Sequence, residues 1–286
     1  ILLKCITSLC CGSTAIHLSE HGSLALPQRL LVGDAARQPD VQVERKHAKG
    51  GGERGQDAAI EEFQTALTSG RIPQAWIFHG PSGIGKLSTA IRFARLLLEA
   101  APDTEAIRSF SPPLGSDAAL LIDAGTHPDL KVIRKELAAD SESTRLRASK
   151  QSNIPIGVLR EHMLGGEVDG KHFEAVHTRT PYMGVRRVFI IDEAELLDQV
   201  GQNVLLKTLE EPPPHVKFLL ATTDPQKLPA TILSRCLQFN LRALSAVEIS
   251  SQLKKIADAE GLLTDDGGLQ ILSRAANGSM RDALSL

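Results

Sequence analysis

Four apolar residues, Val188–Ile191, run without alternation straight into Asp192 and Glu193. An unalternating apolar run of this length suits a strand buried on both faces of a parallel sheet. The two acids then emerge at its carboxyl end, the edge at which open α/β sheets bind their ligands. Where such a sheet hydrolyses nucleotides, an aspartate in this place holds magnesium and a neighbouring glutamate polarises the attacking water. The plainer alternative is a strand that closes in a solvated acidic turn, since an apolar run followed by two acids is a common pattern.

The flanking residues narrow the choice. Val200, Val204, Leu205 and Leu209 mark a helix over Gln199–Glu211, which Pro212, Pro213 and Pro214 stop. Val216–Ala221 is a second apolar run, ending in Thr222 and Thr223, and a hydroxyl there sits one strand over from the acids. Upstream, Ala59, Phe63 and Leu67 space out a helix ending at Ser69-Gly70, and Ala75–Phe78 reads as a short buried strand. That strand enters Gly80-Pro81-Ser82-Gly83-Ile84-Gly85-Lys86, and a helix over Leu87–Leu98 follows. Strand, glycine-rich loop, lysine and helix in this order cradle phosphates. The glycines let backbone amides approach, the helix start favours negative charge, and Lys86 reaches the outer phosphates.

The loop departs from the full motif at its last position. Leu87 stands where a serine or threonine would offer magnesium a hydroxyl, with Ser88 and Thr89 behind it. A helix turns about 100° per residue, so Ser88 takes that place only if the loop shifts. A vestigial loop that keeps the fold and binds nucleotide weakly is therefore the alternative to a working one.

The segment Asn203-Val204-Leu205-Leu206-Lys207-Thr208-Leu209-Glu210-Glu211-Pro212-Pro213, followed by Ser234-Arg235-Cys236, resembles the clamp-loader branch of the AAA+ ATPases, the gamma/tau and delta-prime subunits of bacterial DNA polymerase III. The resemblance implies an α/β fold, a P-loop AAA+ three-layer α/β/α parallel-sheet domain followed by a small α-helical lid. It implies ATP with magnesium as cofactor. Gly80, Ser82, Gly83, Gly85, Lys86 and Ser88 would surround the phosphates, Asp192 would hold magnesium, and Glu193 would orient water. Thr222 would sense the γ-phosphate and Arg281 would contact it from the lid. Arg235 would act as an arginine finger on the ATP of a neighbouring subunit. The implied partners are other clamp-loader subunits in a hetero-oligomeric ring, a sliding clamp and, through the assembly, primer-template DNA, in the cytoplasm and away from membranes.

Two relatives share these features. His127-Pro128-Asp129 before the strand Leu130–Ile133, then the Ile-led helix Ile154–Met163, resembles delta-prime, whereas Val216–Cys236 and the residues after it resemble gamma/tau. The two likenesses meet in Leu206–Pro213. A divergent homologue and a junction of two genes both satisfy this pattern. The cysteine zinc module of gamma/tau has no counterpart, because no cysteine lies between Cys11 and Cys236, and no zinc is expected. No second His or Cys stands at metal spacing from His127, which reads as a loop cap.

Composition sets the outer bounds. A chain of 286 residues with 42% hydrophobic and 23% charged residues is ordinary for a globular protein with more than one domain. A formal charge of -2 makes no electrostatic case for tight nucleic-acid binding by the chain alone, and one Trp and one Tyr argue against an aromatic base-stacking surface. Residues 1–54 read as a poorly ordered extension: their apolar start is too short to span a bilayer, and Gly50-Gly51-Gly52 ends a linker-like stretch. Residues 55–240 read as the nucleotide-binding domain, with Leu120–Ile122 as a strand tip and Glu136–Gln151 as a solvated helix or loop. Residues 241–286 read as an incomplete lid of three helices ending mid-helix at Leu286, with the clamp-loader collar domain absent.

Three functions fit this reading: an ATPase that cycles nucleotide while opening a clamp, a non-hydrolysing ring subunit that donates Arg235, and a helicase-loader or initiator ATPase. The third needs a DNA-binding element that the sequence does not display.

Overall fold

The computed structural model describes residues 56–99, 104–109 and 115–286, so the reading of residues 1–54 lies outside the described part. Five parallel strands build one sheet: β1 (Ala75–His79), β2 (Leu130–Ile133), β5 (Arg187–Ile191), β6 (Val216–Thr222) and β7 (Leu237–Asn240). Their spatial order is β2-β5-β6-β1-β7. Both long apolar runs are central strands, and every residue of β5 and of β6 is buried. That is why neither run alternates: successive side chains point to opposite faces, and both faces are covered.

The two coverings are distinct. On one face Phe189, Phe218, Ile191, Leu220 and Ile77 meet α6 (Ile156–Leu159) and α7 (Gln199–Glu210) through Val158, Leu159, Leu205 and Leu209. On the other, Trp76, Phe78, Ile190 and Leu219 meet α1 (Gln56–Ser69) and α2 (Lys86–Leu98) through Phe63, Phe93, Ala94 and Leu97. Phe63, Trp76, Phe78 and Phe93 pack ring against ring there. The result is the expected three-layer α/β/α sandwich.

Several elements differ from expectation. Leu120–Ile122 is not a strand tip but part of helix α4 (Asp117–Asp123), because the Ser116 hydroxyl caps its start by accepting from the Ala119 amide at 3.1 Å. Only Ala119 and Ile122 of that helix are buried, while Leu120 is exposed. Val200, counted in the apolar stripe of α7, is exposed as well, and Gly201 and Gln202 are buried in its stead. The helix starts where Asp198 accepts from the Gly201 amide, and that register turns Val200 outward. Glu136–Gln151 is neither one helix nor one loop: a 3-10 turn over Lys135–Ala138 and α5 (Thr144–Arg147) flank Ser141 and Ser143, which are buried. Past α6 the chain widens into a π-helical turn, Arg160–Leu164, and a hairpin of β3 (Gly166–Val168) and β4 (Lys171–Phe173) follows. Asp169 and Gly170 both have positive φ there, as a tight two-residue hairpin turn requires.

A separate unit spans Ser245–Leu286. Its three helices are α9 (Ala246–Ala259), α10 (Asp266–Ala275) and α11 (Met280–Ser285). Each begins with a side-chain cap: Ser245 and Glu248 form a reciprocal capping box, and Asp265 and Ser279 cap the other two. Ile249, Leu253, Ala257, Leu269, Met280 and Ala283 are its buried residues of the apolar stripes. Among the described residues, no helix is long and apolar enough to cross a membrane.

Candidate nucleotide site

Because all neighbouring strands are parallel, their carboxyl ends share one edge. His79 is level with Thr222, and Ile191 with Leu220. Asp192 and Glu193 therefore leave β5 beside the last residues of β6. They stand two strands, roughly 10 Å, from the point where β1 opens into the glycine-rich loop. The sheet brings Asp192, Glu193, Thr222 and the loop Gly80–Lys86 to a single edge.

The loop is shaped by its glycines. Gly80, Gly83 and Gly85 have φ of 151°, 75° and 90°, a region that L side chains rarely enter. A Cβ on Gly80 would stand 2.3 Å from the Leu241 carbonyl oxygen, so this glycine also permits a close backbone approach. Gly85 precedes α2 without any side-chain cap, and a helix start is where an anion is favoured. Lys86 is buried and folds back over the loop, its Nζ donating to the Gly80 and Pro81 carbonyls at 2.9 and 2.7 Å. Ser82 is exposed and Ser88 half-buried. Thr89 is occupied, donating to the Gly85 carbonyl at 3.1 Å. Leu87 packs against the core cluster of Trp76, Phe78 and Phe93, so its replacement of a hydroxyl serves packing.

Both acids are held. Asp192 accepts from the Glu193 amide at 3.1 Å, and its own amide donates to the Ile133 carbonyl at 3.0 Å. Glu193 takes φ 51°, uncommon for a side-chain-bearing residue, and its Oε2 stands 2.7 Å from the Lys135 ammonium. That hydrogen-bonded carboxylate holds the Lys135 ammonium above its ordinary pKa. Sequence reasoning missed Lys135, which lies beyond the strand end of β2, because no motif marks it.

It missed Glu195 too. This carboxylate accepts from both the amide and the hydroxyl of Thr223, and so ties the acidic turn to the tip of β6. Burial pushes its pKa up, but the Thr223 hydroxyl and amide and the Thr222 hydroxyl outweigh burial and hold it below the ordinary value. Thr222 is fully buried, and its Oγ1 accepts from the Asp224 amide at 3.1 Å. The repeat of acids at 193 and 195 was the available signal.

Arg235 lies apart from this edge. Arg235 precedes β7, whose first residue, Leu237, is level with Trp76 near the start of β1. It therefore sits at the opposite edge of the sheet, about 15 Å away along the strands. Arg281 lies in the separate helical unit, exposed on the first turn of α11. His127 caps its loop as expected, its Nδ1 accepting from the Asp129 amide at 3.1 Å. Cys236 is buried among apolar side chains, which pushes its thiol up to about 12 and leaves it unreactive.

Residues 55–245 match the family model described as DNA polymerase III, delta subunit. The chain belongs to that family. Residues 248–286 match the ATPase lid domain of DNA polymerase III clamp loader subunits. DNA polymerase III subunit tau of Salmonella typhimurium is 40% identical over 232 residues, 81% of this chain and 31% of that protein. Its counterpart in Bacillus subtilis is 36% identical over 233 residues, 81% of this chain and 36% of that protein. The chain thus spans about a third of the length of these two relatives. Among solved structures, the Thermotoga maritima RuvB Holliday junction branch migration motor aligns at 15% identity over 81% of this chain and 60% of that chain, with a TM-score of 0.45, too distant a likeness for further argument. The delta match and the tau alignment overlap along the chain.

Proposed function

We propose that this delta-family chain binds Mg-ATP at the edge formed by Gly80–Lys86, Asp192 and Thr222, and works in a cytoplasmic clamp-loader ring that places a sliding clamp on primer-template DNA. The uncapped start of α2 and the three positive-φ glycines fit a phosphate chain, and Asp192 fits a hard cation. When bound, Mg-ATP supplies a phosphoryl group whose hydrolysis or release changes the contacts between subunits. Gly80, Ser82, Gly83, Gly85 and Ser88 line the loop, Lys86 swings from the loop carbonyls to the outer phosphates, and Asp192 holds magnesium. Glu193 orients water once its pairing with Lys135 relaxes. Thr222 reads the γ-phosphate.

One observation carries the assignment of Arg235. The guanidinium stands at the sheet edge opposite the chain's own phosphate loop. An arginine so placed serves a neighbour in a ring, where a finger supplied in trans is worth three to five decades in rate.

A second reading has its own support. Leu87 gives magnesium no hydroxyl, and Glu193 is ion-paired, so the chain holds nucleotide and hydrolyses it slowly, acting through Arg235. Mg-ATP affinity and turnover of the chain and its Lys86→Ala variant test both. Loss of affinity with loss of turnover supports the motor, and loss of affinity with unchanged background turnover supports the structural subunit. Unchanged affinity would overturn nucleotide binding at this loop.

A further inference from the structure

We propose that Glu210 is the positioning residue for Arg235. This rests on the reading of Arg235 as a finger acting in trans and deepens it. The two segments that carry the family likeness, Leu206–Pro213 and Ser234–Cys236, meet in one contact. The Arg235 Nη2 donates to Glu210 Oε1 at 2.9 Å, and its Nη1 donates to the Thr231 carbonyl at 2.7 Å. Two hydrogen bonds from different nitrogens fix the plane of the guanidinium, and the side chain remains about a third exposed, at 35%.

The base of the contact is rigid. Glu210 is the last residue of α7, Glu211 leaves helical geometry at ψ 65°, and Pro212–Pro214 bar any further turn. The arginine leaves the end of α8 (Ala230–Leu233), whose Ile232 is fully buried, next to buried Cys236. An acid in the last turn faces the negative end of the helix dipole, which is locally unfavourable. The Arg235 cation offsets it, and a local rule broken in this way is a mark of function. An arginine already oriented loses less rotamer freedom on reaching a neighbour's phosphates than one free in solvent.

The test uses the intact protein reconstituted with its partner clamp-loader subunits, reading kcat and KM for ATP. Arg235→Ala should lower the ring's kcat by at least about a hundredfold, in line with an arginine finger. Glu210→Gln should lower kcat about tenfold with KM unchanged, as a misplaced but present group does. Glu210→Asp should restore part of the loss, and the double variant should be no slower than Arg235→Ala alone. If Arg235→Ala leaves kcat intact, the finger reading itself falls. If Arg235→Ala is slow while Glu210→Gln is unaffected, is faster, or multiplies the loss in the double variant, the positioning role alone is overturned. Should Glu210→Gln fail to assemble, Glu210→Asp decides by the same comparison of kcat and KM.

Discussion

Arg187 and Asp129 are both fully buried, a charged pair inside the apolar base of the sheet. Asp129 accepts from Arg187 Nη2 at 2.8 Å and from the Tyr182 and Met183 amides, while Arg187 also donates to the Thr180 and Val176 carbonyls. Every arm of the pair is used, which is the condition for burying charge at all. Asp129→Asn leaves the arginine uncompensated and should cost about 3–5 kcal/mol in urea denaturation. Burial raises the Asp129 pKa, but the Met183 and Tyr182 amides and Arg187 outweigh it and hold the carboxyl below its ordinary value. Its stabilisation is present above the unfolded value of about 3.9 and lost as pH falls through the folded value. Lys217 gives the same sign from the opposite cause. Its Nζ donates to the Ile72 carbonyl and Gln74 Oε1 at 3.0 and 2.9 Å, and burial, with Arg186 nearby, lowers its pKa to about 8. From about pH 8 to the unfolded value of about 10.4 the unfolded chain binds the extra proton, so stability rises with pH. Lys217→Met should abolish that rise, as thermal melts across this window would register.

At the scale of elements, the start of α2 decides the chemistry of the loop. A leucine at position 87 gains core contact with the Trp76 and Phe93 layer and brings no hydroxyl to the loop. Leu87→Thr should lower stability by about 1–3 kcal/mol through lost burial and raise Mg-ATP affinity, which calorimetric titration with and without magnesium would measure. A gain in affinity without magnesium would mean that the hydroxyl acts on something other than the metal. The acidic turn is similarly tied down from outside. Asp198 caps α7 through the Gly201 amide at 2.6 Å and accepts from the Ile156 amide at 2.9 Å, joining two helices to the turn after Glu195. Ile154 adds a backbone bridge to Leu197. The loop before α6 is thereby part of the scaffold of the acids.

At the scale of the whole molecule, the parallel sheet separates two groups of residues. One edge gathers the glycine-rich loop and the acids, and the other presents Arg235. An isolated chain should therefore hydrolyse ATP at the same rate with or without Arg235→Ala, whereas the reconstituted ring should slow. Equal slowing of the isolated chain would place the arginine in its own site. The strands and the glycine-rich turn were readable beforehand, because buried parallel strands print unalternating runs and tight backbone turns need glycine. The hairpin at 166–173 was not read, since three-residue strands carry no periodicity. Leu120–Ile122 reads as a strand tip because it is apolar throughout, and only its neighbours reveal which side is covered.

The amino-acid sequence by itself determined the layered α/β architecture, the glycine-rich loop with leucine at position 87, and the acids at the strand tip, all local patterns of burial and backbone freedom. Only the tertiary structure decided the pairings of Glu193 with Lys135, Glu195 with Thr223 and Glu210 with Arg235. Those are contacts between charged or polar groups far apart in the chain, and no periodicity brings them together: the order and register of the strands do.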